Sequence, residues 1–182
     1  MGGVFSYVLS WVTPDPTFDL TPDPVTGLTE KDCHVIMETW RMVTAERKDI
    51  KKHGAELFIR LFKAHPHMQS YFSAFKSRPV EELRECPQMA AHATTVMYAL
   101  QAYVSSVDDP PTLAGLVTKI ATSHVARGIS MDDFEKLALV FADFLKSILG
   151  EDFTPEAEKA WTQLLKVHNA IYRDVHTQKG GN

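Results

Sequence analysis

Apolar residues recur at helical spacing through most of the chain. Between Pro110 and Gly128, residues Leu113, Leu116, Val117, Ile120 and His124 fall at i, i+3, i+4, i+7 and i+11, which places all five on one helix face. On an earlier predicted helix His92, Val96, Ala99 and Tyr103 share a face. Phe134, Leu137, Phe141, Phe144, Leu145 and Ile148 form a third stripe, and Trp161, Leu164, Leu165, His168 and Ile171 a fourth. Start and stop signals bracket these stripes. Thr29 with Asp32 is a capping pair, Pro87 and Pro110-Pro111 stand at helix starts, and Ser130 with Asp133 is a further cap. Gly150 ends the third stripe and Thr154-Pro155 opens the fourth. There is no alternating strand pattern, internal repeat or low-complexity tract. The pattern predicts an all-α fold, with nearly every stripe member read as plain core.

Two members of the stripes are chemically unlike the rest. An imidazole on the apolar face of a helix meets the core, and a lone one there is usually satisfied by a carbonyl. His124 is not alone, because His92 closes a face of the earlier helix, while Phe58, Phe62 and Phe72 supply flat apolar bulk upstream. Two helices presenting imidazoles across an aromatic-rich gap suit an iron porphyrin, whose ring needs apolar walls and whose iron needs a nitrogen donor.

The order and spacing of these features resemble the globin family from about Leu28 to about Val175. Leu28-Thr29-Glu30 with Trp40 looks like the first globin helix, and Gly54, Phe58 and Phe62 look like the second. Pro66 followed by Tyr71-Phe72-Ser73-Ala74-Phe75 resembles the family's proline and phenylalanine corner. His92-Ala93-Thr94-Thr95-Val96 resembles the distal stretch and Ile120-Ala121-Thr122-Ser123-His124 the proximal one. The resemblance implies a globin fold of about seven to eight helices around a pocket for haem b (iron protoporphyrin IX). It makes His124 the axial iron ligand, His92 the distal histidine, Phe72 the residue stacked on the porphyrin and Val96 the apolar residue one turn on. Phe58, Ile120, Ser123, Arg127 and Phe134 complete the expected cofactor-binding set.

His92 and His124 are 32 residues apart, slightly wider than in myoglobins and similar to neuroglobins and cytoglobins. Phe58 stands where myoglobins usually carry leucine and resembles the neuroglobin pattern. By that likeness the expectation is a resting iron ligated by both histidines. Thr95 occupies a place where many globins have a basic residue that reaches a haem propionate, so propionate contacts are sought at Arg127, Ser123, Lys76 or Arg78. The family's ligands are oxygen, nitric oxide, carbon monoxide and nitrite. Three functions stay open: gas binding and sensing or oxygen transport; nitric oxide dioxygenase or nitrite reductase activity with an unknown reductase; and electron transfer or lipid protection at a membrane.

Length agrees with one domain, since 182 residues suffice to bury a sizeable core. The formal charge of −4, with scattered basic residues, leaves no stripe for a phosphate backbone, so nucleic acid is not an expected partner. The densest basic stretch, Arg41, Arg47, Lys48, Lys51 and Lys52, reads as a solvated turn between helices, with an anionic membrane surface as the alternative. Ahead of the domain, Met1-Gly2-Gly3-Val4-Phe5-Ser6 fits the N-myristoylation pattern, and Thr13 to Thr26 carries Pro14, Pro16, Pro22 and Pro24 as an extended linker. Two readings stand for this extension: an ordinary terminus, or an acylated Gly2 giving peripheral contact at the inner face of the plasma membrane. X-type globins are similar in carrying acylated N-termini. Val4 to Val12 is too short to span a bilayer, and myristate alone binds only marginally. Two cysteines without an export signal suggest a reducing, cytoplasmic setting, with Cys33 and Cys86 as unlinked thiols and a redox disulfide, as in cytoglobins, as the alternative. His65 and His67 read as surface residues with no third ligand. The expected organisation is extension and linker over 1–27, globin domain over 28–176 and disordered tail over 177–182.

Overall fold

In a computed structural model, residues 17–180 are described; the expectations for Gly2, Val4 to Val12 and the start of the linker fall outside them. Six α-helices form the frame: α1 Glu30–Val43, α2 Arg47–Ala64, α3 Pro87–Val104, α4 Pro110–Val125, α5 Met131–Leu149 and α6 Pro155–Gly180. Three short 3₁₀ segments, Pro66–Tyr71, Val80–Glu85 and Gly150–Asp152, link them, and no strand occurs among the described residues. The all-α fold anticipated from the stripes is therefore the one observed among the described residues.

The helix starts obey local chemistry. At α1 the Asp32 backbone N–H donates to Thr29 Oγ1 (3.1 Å) and the Thr29 backbone N–H donates to Asp32 Oδ2 (2.9 Å), a reciprocal box that satisfies two otherwise orphaned donors. Ser130 Oγ accepts from the Asp133 backbone N–H at α5, and Pro87, Pro110 and Pro155 each hold a first helical position. Gly150 ends α5 at φ 57°, a backbone conformation that side chains resist.

Packing then fixes where α3 sits. A Cβ on Gly54 of α2 would come within 2.9 Å of both the Ala93 carbonyl oxygen and Met97 Cγ, so glycine alone allows the two helices to touch backbone to backbone. Ala93 follows His92, and this close crossing sets the depth of that imidazole. On the opposite side Trp40 and Trp161, both about 1% exposed, lie with ring centroids 6.0 Å apart and join α1 to α6. Their indole N–H groups donate to Gln101 Oε1 (2.8 Å) and Thr39 Oγ1 (2.9 Å), so the largest apolar surfaces are buried without stranding a donor. Truncating either to alanine is of the class that costs about 3–5 kcal/mol.

Three expectations need adjusting. The segment before α1 is not a free linker from residue 17 onward. Asp23 Oδ1 accepts from the backbone N–H groups of Val25 and Thr26 (2.9 and 2.7 Å), and Gln163 Nε2 donates to the Thr26 carbonyl (2.7 Å), tying this stretch to α6. Lys48, Lys51 and Lys52 do not lie in an interhelical turn; a second box between Glu46 and Asp49 starts α2 ahead of them, so they occupy its opening turns. At the other end α6 continues through Gly180, past the expected start of a disordered tail at 177. No described helix is long and apolar enough to cross a membrane.

Candidate functional site

The faces set by periodicity meet across one cavity of about 700 Å³, within the roughly 300–1,000 Å³ typical of small-molecule and cofactor pockets. All nine residues expected at the site line it: His92, His124, Phe58, Phe72, Val96, Ile120, Ser123, Arg127 and Phe134. Thr95 does too, whereas Lys76 and Arg78 do not, which leaves Arg127 and Ser123 as the earlier propionate candidates still at the wall. Thr95 and Arg127 are exposed and mark the mouth; Leu113, Val117 and Trp161 are buried and mark the inner end.

His124, on the last turn of α4, has a fixed orientation. Its Nδ1 lies 2.9 Å from the Ile120 carbonyl one turn back, an arrangement that makes Nδ1 the N–H donor and leaves Nε2 with a free lone pair. Ser123 Oγ donates to the same carbonyl at 2.9 Å. The Phe134 ring stands edge-on to His124 at 5.4 Å. Burial pushes the His124 imidazole below its ordinary value against the Ile120 hydrogen bond, with Arg127 adding to the depression. The ring is therefore neutral, the form in which it donates electrons to a metal.

His92 enters from α3 between two aromatic edges, with ring centroids 5.0 Å from Phe58 and 4.9 Å from Phe72. Neither of its ring nitrogens has a hydrogen-bond partner among the described residues. Burial lowers its pKa, and the charges of His124 and Arg127 push the same way. Two neutral imidazoles thus share one apolar cavity, close enough for charge on one to be felt by the other. Phe72 stacks on Phe75 at 5.0 Å and 15°, which fixes its ring as a flat wall. Apolar faces, two nitrogen donors and a polar, cationic mouth fit an iron porphyrin. No cluster of three His, Cys, Asp or Glu side chains suited to a bare metal ion occurs among the described residues.

Four side chains near the site, His67, Tyr71, Asp133 and His168, make contacts that their place in the sequence did not announce. His67, read as a surface residue, lies 2.7 Å through Nε2 from Asp133 Oδ1, and Tyr71 Oη donates to Asp133 Oδ2 at 2.6 Å. Burial alone would raise the Asp133 carboxyl, but hydrogen bonds from Tyr71, His67 and Ser130 outweigh it and hold it at about 2. This carboxylate pins the Pro66–Tyr71 segment, which leads into Phe72, to the start of α5, which leads into Phe134. His168, read as a member of the α6 core stripe, lines the cavity instead and stacks on Phe134 at 5.0 Å and 11°. Its partners come from elements far apart in the chain, so no local signal marked it. Cys33 and Cys86 are both buried and not joined to each other. Cys33 Sγ faces the Val107 carbonyl at 3.5 Å, and burial, with negative charge from Asp108, pushes its thiol up to about 11.

A pH dependence follows from the buried imidazoles. Burial presses His168 down to about 4, while an unfolded histidine titrates near 6.5. Between those values the unfolded chain binds a proton that the folded chain refuses, so stability falls as pH falls across the window. His92 and His124 act in the same direction, whereas the Asp133 contribution persists until pH drops below about 4. The His168 share is of order 3 kcal/mol. Urea midpoints at pH 7 and pH 4.5 are expected to differ clearly less for His168→Phe than for the unaltered chain; equal acid losses in the two would rule His168 out as the source.

Comparison with known proteins gives a consistent result. The family model described as Globin matches residues 55–171. A globin of Buccinum undatum is 36% identical over 147 residues, covering 79% of this chain and 100% of that protein. A globin of Tritia mutabilis is 30% identical over 141 residues, 78% of this chain and 96% of that protein. Cytoglobin-2 of Danio rerio is 30% identical over 146 residues, 79% of this chain and 78% of that protein.

Proposed function

The chain belongs to the globin family, which implies haem-based gas binding, and on that premise we propose that it holds haem b between His124 and His92 in a resting six-coordinate state and acts in gas sensing or redox chemistry rather than bulk transport. The observation that carries this reading is His92: a neutral imidazole with no hydrogen-bond partner among the described residues, seated between Phe58 and Phe72 in the cavity that also contains His124.

When bound, the haem iron supplies reversible binding of oxygen, nitric oxide or carbon monoxide and one-electron redox chemistry. The chain supplies the rest. His124, oriented by the Ile120 carbonyl, would offer its Nε2 lone pair to the haem iron. Phe72, Phe58, Val96 and Ile120 would wall the ring with apolar surface, while Arg127 and Ser123 would meet its propionates. Arg127 is itself steadied by donating to the Ser123 carbonyl at 2.5 Å. His92 has two roles. With haem bound, it would compete with external ligand for the iron when closed on it, and when swung aside its N–H would serve as a hydrogen-bond donor to that ligand. Ligand capture is thereby coupled to a movement of α3's imidazole, which is the property a sensor uses and a bulk carrier lacks.

The test is the visible absorption spectrum of the dithionite-reduced protein, taken on the unaltered chain and on His92→Leu. Sharp, split low-spin bands that broaden to a high-spin form in the variant are expected. A high-spin spectrum in the unaltered chain would leave the distal side open and return the protein to simple oxygen binding; no haem band in either would overturn the cofactor assignment.

A further inference from the structure

Two polar side chains at the inner end of the cavity are left over once the two axial histidines and the mouth are assigned. Tyr103 on α3 lines the wall and is 7% exposed, and its hydroxyl is the one buried side-chain polar atom among the described residues with no hydrogen-bond partner. Natural interiors nearly always satisfy such a group, because leaving it unpaired forfeits its hydration with nothing in return. His168 on α6 faces it, with ring centroids 5.7 Å apart. The hydrogen bond described for His168 is a long one, 3.4 Å from Nδ1 to Oδ1 of the adjacent Asn169, so the outer nitrogen is left over as well.

The chemistry of this pair is specific. Burial keeps His168 neutral at ordinary pH, and a neutral imidazole that uses Nδ1–H toward Asn169 offers Nε2 as an acceptor. Tyr103 offers a donor. One group that satisfies both at once is a hydroxyl, which accepts from Tyr103 and donates to His168. The surroundings select against an ion: the inner wall is Leu113, Val117, Trp161 and Leu164, and the one Lys, Arg, Asp or Glu on the cavity wall, Arg127, is at the mouth. A charge taken into that end would go unpaired. The indole of Trp161 among these aliphatic side chains favours a flat, apolar body behind the hydroxyl.

We propose that the inner end of the cavity is a second binding site, separate from the gas-binding side, for a small neutral hydroxylated aromatic molecule held between Tyr103 and His168. It rests on the haem reading only in taking the mouth end to be filled by cofactor, and it does not require the iron to be six-coordinate.

The experiment titrates the haem-loaded protein with phenol and with benzene, following each ligand by its own NMR relaxation, in the presence and absence of carbon monoxide. Two added hydrogen bonds should make phenol bind roughly tenfold tighter than benzene. Tyr103→Phe and His168→Phe should each remove part of that preference and the double variant should bring the two ligands to parity; Tyr103→Phe keeps its ring, and because a phenyl ring is larger than an imidazole, the benzene affinity of each variant serves as the reference for any change in cavity size. Saturation with carbon monoxide should leave phenol binding intact. Equal affinities in the unaltered chain, a phenol preference that survives the double variant, or displacement of phenol by carbon monoxide would each overturn the site. The Soret band, read in the same samples, reports separately on the haem assignment, so failure of one reading is not mistaken for failure of the other.

Discussion

His92→Leu is expected to bind carbon monoxide about 100-fold more tightly than the unaltered chain if His92 closes the distal side about 99% of the time. The magnitude follows from competition: apparent affinity equals the intrinsic affinity multiplied by the fraction of molecules with the site open. Carbon monoxide is the informative gas because it draws little from a hydrogen-bond donor, so removal of the imidazole reports the competition alone. Oxygen would mix two opposed effects, loss of a competitor and loss of the N–H donor. The structure gives His92 few reasons to stay away from the cofactor. Its ring nitrogens make no hydrogen bond among the described residues, and burial keeps it neutral. Phe58 and Phe72 flank it at 5.0 and 4.9 Å, which restricts its swing. Flash photolysis of the reduced complex separates the pieces: in the unaltered chain, rebinding should show a slow phase independent of carbon monoxide concentration, set by departure of His92, and this phase should vanish in His92→Leu. An affinity unchanged by the substitution would exclude an internal sixth ligand.

Why so much of this site was legible in the chain, and why part of it was not, comes down to the range of the interactions. His124 ends a five-residue stripe and is held by the carbonyl of Ile120, four residues away. His92 likewise sits on a helix whose face is written in its own periodicity, and the caps at Thr29 and Ser130 are contacts over three residues. Local periodicity and capping chemistry suffice for such features. His67 is different, because its partner Asp133 is 66 residues away, and nothing near either residue announces the pairing. Tyr103 and His168 both lay on correctly read stripes, yet whether a stripe member packs into core or borders a cavity depends on how helices from opposite ends of the chain close around it. The same limit explains Lys76 and Arg78, which follow Phe72 closely in the chain but do not reach the cavity wall. It also explains the segment before α1, whose anchor Gln163 lies 137 residues from Thr26.

The haem-free protein should melt well below the haem-loaded one. A ligand that binds only the folded state, present at about 100 times its dissociation constant, adds about 2.7 kcal/mol, which for a chain of this size corresponds to roughly 5–10 °C in Tm. The loss should be concentrated in particular elements. A cavity of about 700 Å³ separates α3 from α4 at the histidines, and without a cofactor its apolar lining loses contact partners that water does not replace. The start of α5 has an independent tie, the Asp133 carboxylate bonded to both His67 and Tyr71, and α1 with α6 retain the Trp40–Trp161 contact at 6.0 Å. At the end of α4 the His124 imidazole bonds only within its own helix, and the next tie comes beyond Gly128, where Tyr172 Oη donates to the Ile129 carbonyl at 2.9 Å. Hydrogen exchange in the haem-free form is therefore expected to accelerate first in α4 and the turn to Gly128, with α1 and α6 protected. His124→Leu, which removes the imidazole proposed to hold the iron while keeping an apolar side chain, should reproduce this pattern even with excess haem added. Uniform acceleration over all six helices would mean that the cavity is not the weak seam of the fold, and equal melting of haem-free and haem-loaded protein would remove it as the cofactor site.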